Sequence, residues 1–213
     1  MLAVLTVIVG SFGGLEQRKL KSLLAYSSIS HMGYTLIAFS TGTFEGIQAL
    51  FCYLFLYMIA GLCLWSIFLT LQLKHEYVKK QNKDLADLNS LNKSNNILAL
   101  FFSAVLLSIA GLPPLVGFLV KIGIFLVSIE SSMYFVATIS VLCSVISTFY
   151  YIRIVKIMYF ENAPSGKLYF PIQPNISILI VCLFYLLLFL FINPTLVYLI
   201  SHKITLLLSL SAL

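Results

Sequence analysis

The sequence predicts an all-α integral membrane protein with about six transmembrane helices, one of them broken. Of its 213 residues, 61% are hydrophobic and 9% are charged, whereas a soluble domain averages about 45–50% and about 25%. Apolar stretches near the roughly 20 residues that a spanning helix needs recur along the chain, and basic residues collect in alternate intervals between them. These observations exclude a soluble globular protein.

Six apolar stretches are the predicted spans. They cover approximately residues 1–16, 23–41, 46–73, 96–128, 132–158 and 172–193. The first stretch begins at Met1 without a basic segment or a small-residue cleavage site, so it is predicted to be a span and not a removable signal. Residues 194–213 form a shorter segment with His202 and Lys203 near its middle. This segment is predicted to be an interfacial helix in preference to a seventh span.

The loops between the spans predict the orientation. All but two of the 13 basic residues are placed in the first, third and fifth loops, and the exceptions are Lys121 and Lys203. The second and fourth loops carry only Glu45 and Glu130 as charged residues. This alternation follows the positive-inside rule, with both termini on the outer side. The net charge of +6 therefore reports topology and gives no reason to expect nucleic acid as a partner. The polar residues 74–95 are predicted to be a solvated inner loop or a short surface helix.

The fourth stretch contains the run Gly111-Leu112-Pro113-Pro114, followed by Gly117. The two prolines remove backbone donors and the glycines loosen the helix, so carbonyls upstream lose their usual partners. In hydrocarbon those carbonyls must be satisfied by other helices, by polar side chains or by water. A broken helix beside a buried, hydrated cavity is predicted here.

Lys121 follows the break by about two helical turns and is the most informative residue in the chain. A lysine at mid-membrane depth is costly and is usually kept for ion or proton traffic. Removal from water favours the neutral amine, so a small change in a neighbouring charge can make it load or release a proton. The alternative is a lysine that extends to the membrane surface near a helix end. The apolar residues 122–128 disfavour that alternative.

The second stretch carries a polar helix face. Ser27, Ser30, His31 and Tyr34 share this face because they are spaced by three, four and seven residues. Histidine can change its charge near neutral pH, so His31 is a candidate for a proton path. The alternative is that the serines permit close helix packing and His31 is hydrogen-bonded to a neighbour. For the serines, this alternative is favoured.

The third stretch adds two tyrosines. Tyr53 and Tyr57 are four residues apart and could present their hydroxyls to the same interior as His31. Core packing, with Trp65 at the membrane interface, is the equally supported alternative. The four cysteines are isolated, and no motif of a phosphate loop, of a haem attachment site or of paired mid-span carboxylates occurs. No metal site and no cofactor bound by this chain are predicted.

Three sequence motifs resemble those of the antiporter-like subunits of respiratory complex I. The run from Lys19 to Tyr34, KLKSLLAYSSISHMGY, is similar to their signature K-R-L-L-A-Y-S-S-I-S-H-M-G-Y. Residues 111–121 resemble their motif G-L-P-P-x-x-G-F-x-x-K, and residues 147–153 resemble the helix that follows it. The motifs occur in the family's order and spacing. Details resemble subunit 2, which is subunit N in bacteria, more than the two longer antiporter-like subunits.

The resemblance implies roles for the candidate residues. Lys121 would be the terminal proton carrier in the broken helix, and His31 and Tyr57 would lie near the central hydrophilic axis. Gly111, Pro113, Pro114 and Gly117 would form the helix break. Family members have about fourteen helices with two inverted five-helix repeats. This chain looks like the second repeat plus the last helix, so a separate chain from a split gene is expected to supply the first half.

The resemblance also implies a setting. The expected partners are the complementary chain, neighbouring antiporter-like and small subunits of the membrane arm, and lipids. NADH oxidation and ubiquinone reduction would occur in other subunits, without redox catalysis by this chain. The expected location is the mitochondrial inner membrane with loops 1, 3 and 5 in the matrix, or a bacterial plasma membrane. The alternatives are a subunit of a cation/proton antiporter or membrane-bound hydrogenase, and a structural membrane subunit that does not pump.

Overall fold

Helices dominate the computed structural model, which describes residues 1–74, 79–81, 84–89, 91–113, 115–161 and 174–211. The α-helices are α1 Leu2–Leu15, α2 Leu20–Ser40, α3 Phe44–Thr70, α4 Leu91–Ser94, α5 Asn96–Ala110, α6 Val116–Glu130, α7 Tyr134–Phe160, α8 Pro174–Ile192 and α9 Thr195–Ser211. Three of them, α3, α7 and α8, are by themselves long and apolar enough to cross a membrane. The all-α membrane fold is therefore as predicted, and the fourth predicted stretch consists of two helices in series, α5 and α6.

Close packing of α1 against α2 depends on small residues. A Cβ at Gly10 would overlap the backbone nitrogen of Ser30, and a Cβ at Gly33 would overlap the side chain of Val7. The absence of side chains at both positions lets the two backbones approach closely, as small residues do in membrane proteins. Ser27 and Ser30 are buried, and each hydroxyl donates to a carbonyl of its own helix at 2.7 Å. The close-packing interpretation of these serines fits this geometry.

The second half of the third loop packs against the bundle. It contains a short antiparallel hairpin of β1 Gln72–Lys74 and β2 Lys79–Gln81, a 3₁₀ turn Leu85–Leu88 and α4. Leu85, Leu88 and Leu91 are buried in the same core as α2, α3, α5 and α7. The backbone N–H of Leu85 donates to the carbonyl of Arg18 at 2.8 Å. The first and third loops therefore lie together at one end of the bundle, and three leucines hold the second half of the third loop under the helices.

The C-terminal helix α9 packs along the first half of α3. The thiol of Cys52 lies 3.0 Å from the hydroxyl of Ser201, and the rings of Phe44 and His202 are 5.4 Å apart. Ser201 and Thr205 are buried, whereas Lys203 is exposed. The interfacial position of this segment stays a prediction.

Candidate functional site

The helix break occurs where the sequence predicts it. Helix α5 ends at Ala110, and Gly111 follows in the left-handed conformation with φ 81° and ψ 40°, which glycine adopts at little cost. The N–H of Gly111 donates to the carbonyls of Leu107 and Ser108. Pro113 lies in the break, and Pro114 lies outside the described residues. Helix α6 then begins at Val116.

A second glycine lets the two half-helices meet. A Cβ at Gly117 would overlap the carbonyl oxygen of Ser108. Gly117 thus allows the first turn of α6 to pass directly beside the last turn of α5. Gly111 has a matching role, because a Cβ there would lie 2.7 Å from Cδ of Lys121. Both glycines make room for the lysine to fold back onto the break.

Lys121 is buried, with 4% of its surface exposed. Its amine donates to the carbonyl oxygen of Ala110 at 2.6 Å, and it lies 5.4 Å from the centre of the Tyr34 ring. In a continuous helix the Ala110 carbonyl would accept from residue 114, but proline has no N–H. The buried residues of the described chain include no Asp or Glu. The amine therefore replaces a missing backbone donor, and it does not reach the membrane surface.

His31 lies between tyrosines from two different helices. Its Nδ1 is 2.6 Å from the hydroxyl of Tyr53 on α3, and its Nε2 is 3.3 Å from the hydroxyl of Tyr151 on α7. The ring of Tyr57 lies 4.8 Å from the His31 ring at 30°. A neutral imidazole donates from one nitrogen and accepts at the other. The ring can therefore carry a proton between two hydroxyls by changing which nitrogen holds it.

A cavity of about 30 Å³ joins the lysine and the histidine. Its polar walls come from His31, Tyr53, Tyr57, Ser108 and Lys121. One buried water needs about 10–15 Å³ by this measure and two to four polar partners. The cavity has room for about two waters, although most of its lining surface is apolar. The space between His31 and the Lys121 amine is thus large enough for a water link.

The structure brings together most of the residues that the sequence singles out. Lys121, His31 and Tyr57 line one cavity, and Tyr53 lines it as well. Tyr151 was not singled out, and its only signal was membership in the motif at residues 147–153. Its neighbour Tyr150 is fully buried, and the two tyrosine rings lie 4.6 Å apart. In the described part of the chain, no group of three His, Cys, Asp or Glu residues could hold a metal.

The fold and the site define a class of protein: a helical membrane protein with a broken helix, a buried lysine and a polar interior. The family model described as "NADH:quinone oxidoreductase/Mrp antiporter, TM" matches residues 1–147. The chain therefore belongs to this family of membrane proteins.

Curated relatives carry related names. A Marchantia polymorpha protein named NADH-ubiquinone oxidoreductase chain 2 is 40% identical over 204 residues, which are 96% of this chain and 40% of that protein. A Pelagibacter ubique protein named NADH-quinone oxidoreductase subunit N is 42% identical over 161 residues, covering 76% of this chain and 33% of that protein. The chain thus spans only about two fifths of the length of the Marchantia polymorpha protein.

Solved structures share the fold. A chain of respiratory complex I from Thermus thermophilus superposes with a TM-score of 0.78 and 30% identity, covering 92% of this chain and 43% of that one. A chain of the Mrp complex from Dietzia superposes with a TM-score of 0.80 over 95% of this chain and 45% of that one. Its identity of 19% shows a common fold only.

Proposed function

We propose that this chain forms the second half of an antiporter-like subunit, subunit 2 or N, in the membrane arm of respiratory complex I. In this function it moves protons across the membrane while NADH is oxidised and ubiquinone is reduced in other subunits. The names and lengths of the relatives support this proposal, since the chain matches between one third and two fifths of proteins named for that activity. Redox groups belong to those other subunits, and the chain itself carries protons.

The contact between Lys121 and Ala110 carries the proposal. The carbonyl that proline leaves without a donor holds the amine at a fixed position, 2.6 Å away. Low polarity around a buried amine makes its charge sensitive to nearby charges. A proton arriving through the cavity water from His31 can load onto the amine, and a change of charge in a neighbouring subunit can release it. The surrounding helices need only small movements, because the cavity already joins both groups.

The proposed partners follow from the portion of the relatives that the chain matches. A complementary chain would supply the first repeat, and other antiporter-like and small membrane-arm subunits would flank the pair. The basic loops 1, 3 and 5 would face the matrix of a mitochondrion, or the cytoplasm of a bacterium in the alternative location. Under this proposal the chain pumps only when docked to its complement and to the rest of the complex.

Substitution of Lys121 tests the proposed function. In the assembled complex, Lys121→Ala should reduce proton transfer along this path by about 10²-fold or more, the usual contribution of a positioned acid or base. Proton pumping and the coupled NADH oxidation should both fall, with assembly verified on native gels. Lys203→Ala is the matched control, since it removes an exposed lysine of the tail. Normal pumping by the assembled Lys121→Ala complex would favour a structural subunit instead. Co-purification without NADH-oxidising activity would favour the cation/proton antiporter or hydrogenase alternative.

A further inference from the structure

The aromatic ring of Tyr34 faces the amine of Lys121. Tyr34 lies on α2 and is fully buried, and the Lys121 Nζ lies over its ring, 5.4 Å from the centroid. A cation within about 6 Å of the centroid of an aromatic ring is attracted to the negative face of that ring. The two side chains therefore have the geometry of a cation–π contact inside the protein.

Contacts from three other helices hold the Tyr34 ring in this orientation. Its hydroxyl donates to the carbonyl of Ser140 on α7 at 3.3 Å. The ring of Phe125, about one turn after Lys121 on α6, meets it edge to face at 67°, with the centroids 6.2 Å apart. The ring of Tyr53 on α3 lies 6.2 Å away at 45°. The ring cannot turn away from the amine without disturbing these contacts.

No buried carboxylate balances the charge of a protonated Lys121 among the residues that the structure describes. The buried polar residues there include no Asp or Glu, and the titratable side chains around the ring are His31, Tyr53, Cys143 and Tyr150. A buried charge without compensation is strongly unfavourable. The Tyr34 ring offers compensation, because the attraction of its face requires the charge of the ammonium. The Ala110 carbonyl, in contrast, can accept from the neutral amine as well.

We propose that Tyr34 is a positioning residue that takes the place of a counter-ion for protonated Lys121. The face of its ring stabilises the ammonium, and the Ala110 carbonyl keeps the amine over the ring in both protonation states. A carboxylate at this position would bind the ammonium much more strongly, since two full charges attract each other strongly in a site of low polarity. The uncharged ring supports loading of the proton and still permits its release. The inference deepens the proposed function and rests on it.

Fluorination of the ring at position 34 tests the inference. Tyr34→Phe removes only the hydroxyl, and this phenylalanine is then replaced by phenylalanines with one, two or three ring fluorines in the assembled complex. Each fluorine withdraws electron density from the ring face and changes the size of the side chain little. Proton pumping should fall at each step, by roughly tenfold over the series, as expected for the loss of a desolvated cation–π contact. Should Tyr34→Phe not assemble, fluorinated tyrosines, which keep the hydroxyl, give an equivalent series.

Phe102 provides the matched control. It is also a fully buried aromatic residue, but it belongs to a different core cluster from Tyr34. The same fluorinated residues at position 102 should leave pumping unchanged, with assembly verified on native gels for both series. Equal losses at the two positions, or no graded loss at position 34, would overturn the inference, because a ring that serves packing alone gives either result.

A measurement that does not require pumping separates this inference from the proposed function. The melting temperature of the detergent-extracted complex is compared for Lys121 and for Lys121→Met, which has a similar length without the charge. At acidic pH, where a lysine amine is protonated, fluorination at position 34 should lower the melting temperature only when Lys121 is present. The same decrease in Lys121→Met would overturn the role of Tyr34. Loss of pumping in Lys121→Ala without any effect of fluorination would also overturn it, and would leave the proposed function intact.

Discussion

The amine of Lys121 donates to the carbonyl of Ala110 at 2.6 Å, so the buried amine and the helix break form one structural unit. A continuous helix would give that carbonyl the N–H of residue 114, which is proline in this chain. The lysine supplies the missing donor from seven residues further along. The break leaves the Ala110 carbonyl without a backbone donor, and this carbonyl fixes the position of the amine that is proposed to carry the proton.

Gly111→Ala should weaken the contact between Lys121 and Ala110, in addition to the strain of placing alanine at a positive φ. An alanine at φ 81° is strained by about 1–2 kcal/mol, and its Cβ would lie 2.7 Å from Cδ of Lys121. The lysine must then shift, and its amine moves away from the Ala110 carbonyl. We expect a lower melting temperature of the detergent-extracted complex and reduced pumping.

Gly42→Ala is the control for that prediction. Gly42 also has a positive φ, 65°, but no atom of the described residues lies within 4 Å of its Cβ position. Both variants therefore pay the backbone cost, and only Gly111→Ala displaces the lysine. Equal losses of pumping in the two variants would show that the contact with Lys121 is unimportant.

The two tyrosines that flank His31 should differ in their contributions. The Tyr53 hydroxyl is 2.6 Å from Nδ1, whereas the Tyr151 hydroxyl is 3.3 Å from Nε2. A typical net hydrogen bond stabilises by about 0.5–1.5 kcal/mol, and the shorter bond should lie at the upper end. Tyr53→Phe should therefore lower the melting temperature more than Tyr151→Phe. The double variant measures their coupling through the imidazole, and strictly additive losses would contradict a shared ring as the link.

Much of the fold was predictable, because the apolar composition and the spacing of the apolar stretches indicate where the helices lie. The apolar stretches of the sequence coincide with helices, and Gly111 and Pro113 fall in the break that the sequence predicts. Lys121 and His31 were predictable candidates, since a charge or a titratable ring in an apolar stretch is costly and rare. Their roles as proton carriers stay predictions.

Other features could not be predicted, since they depend on contacts between distant segments. Tyr151 contacts His31 across 120 residues of sequence, and no periodicity within α7 distinguishes it from a packing residue. The leucines of residues 85–91 are buried although charged and polar neighbours surround them in sequence. Their burial depends on the gap that the ends of four helices leave, which no local pattern records.

The end of the bundle opposite the basic loops should respond to pH through two carboxyls. Glu45, at the start of α3, shares a hydrogen bond with Glu130, at the end of α6 and beyond the predicted end of the span at residue 128. That hydrogen bond, and next the nearby charge of Glu45, raise the pKa of Glu130 above its ordinary value. A raised pKa means that the folded chain holds this proton more tightly than the unfolded chain. The shared proton therefore favours the contact at low pH, and the contact weakens as pH rises through the raised pKa.

Glu45→Gln removes the shared proton and the like charge, so the infrared carboxyl band of Glu130 should titrate at lower pH. Glu16→Gln, a change at an exposed carboxyl of the first loop, should leave that band unchanged. An unaltered Glu130 titration in Glu45→Gln would show that the two carboxyls do not interact.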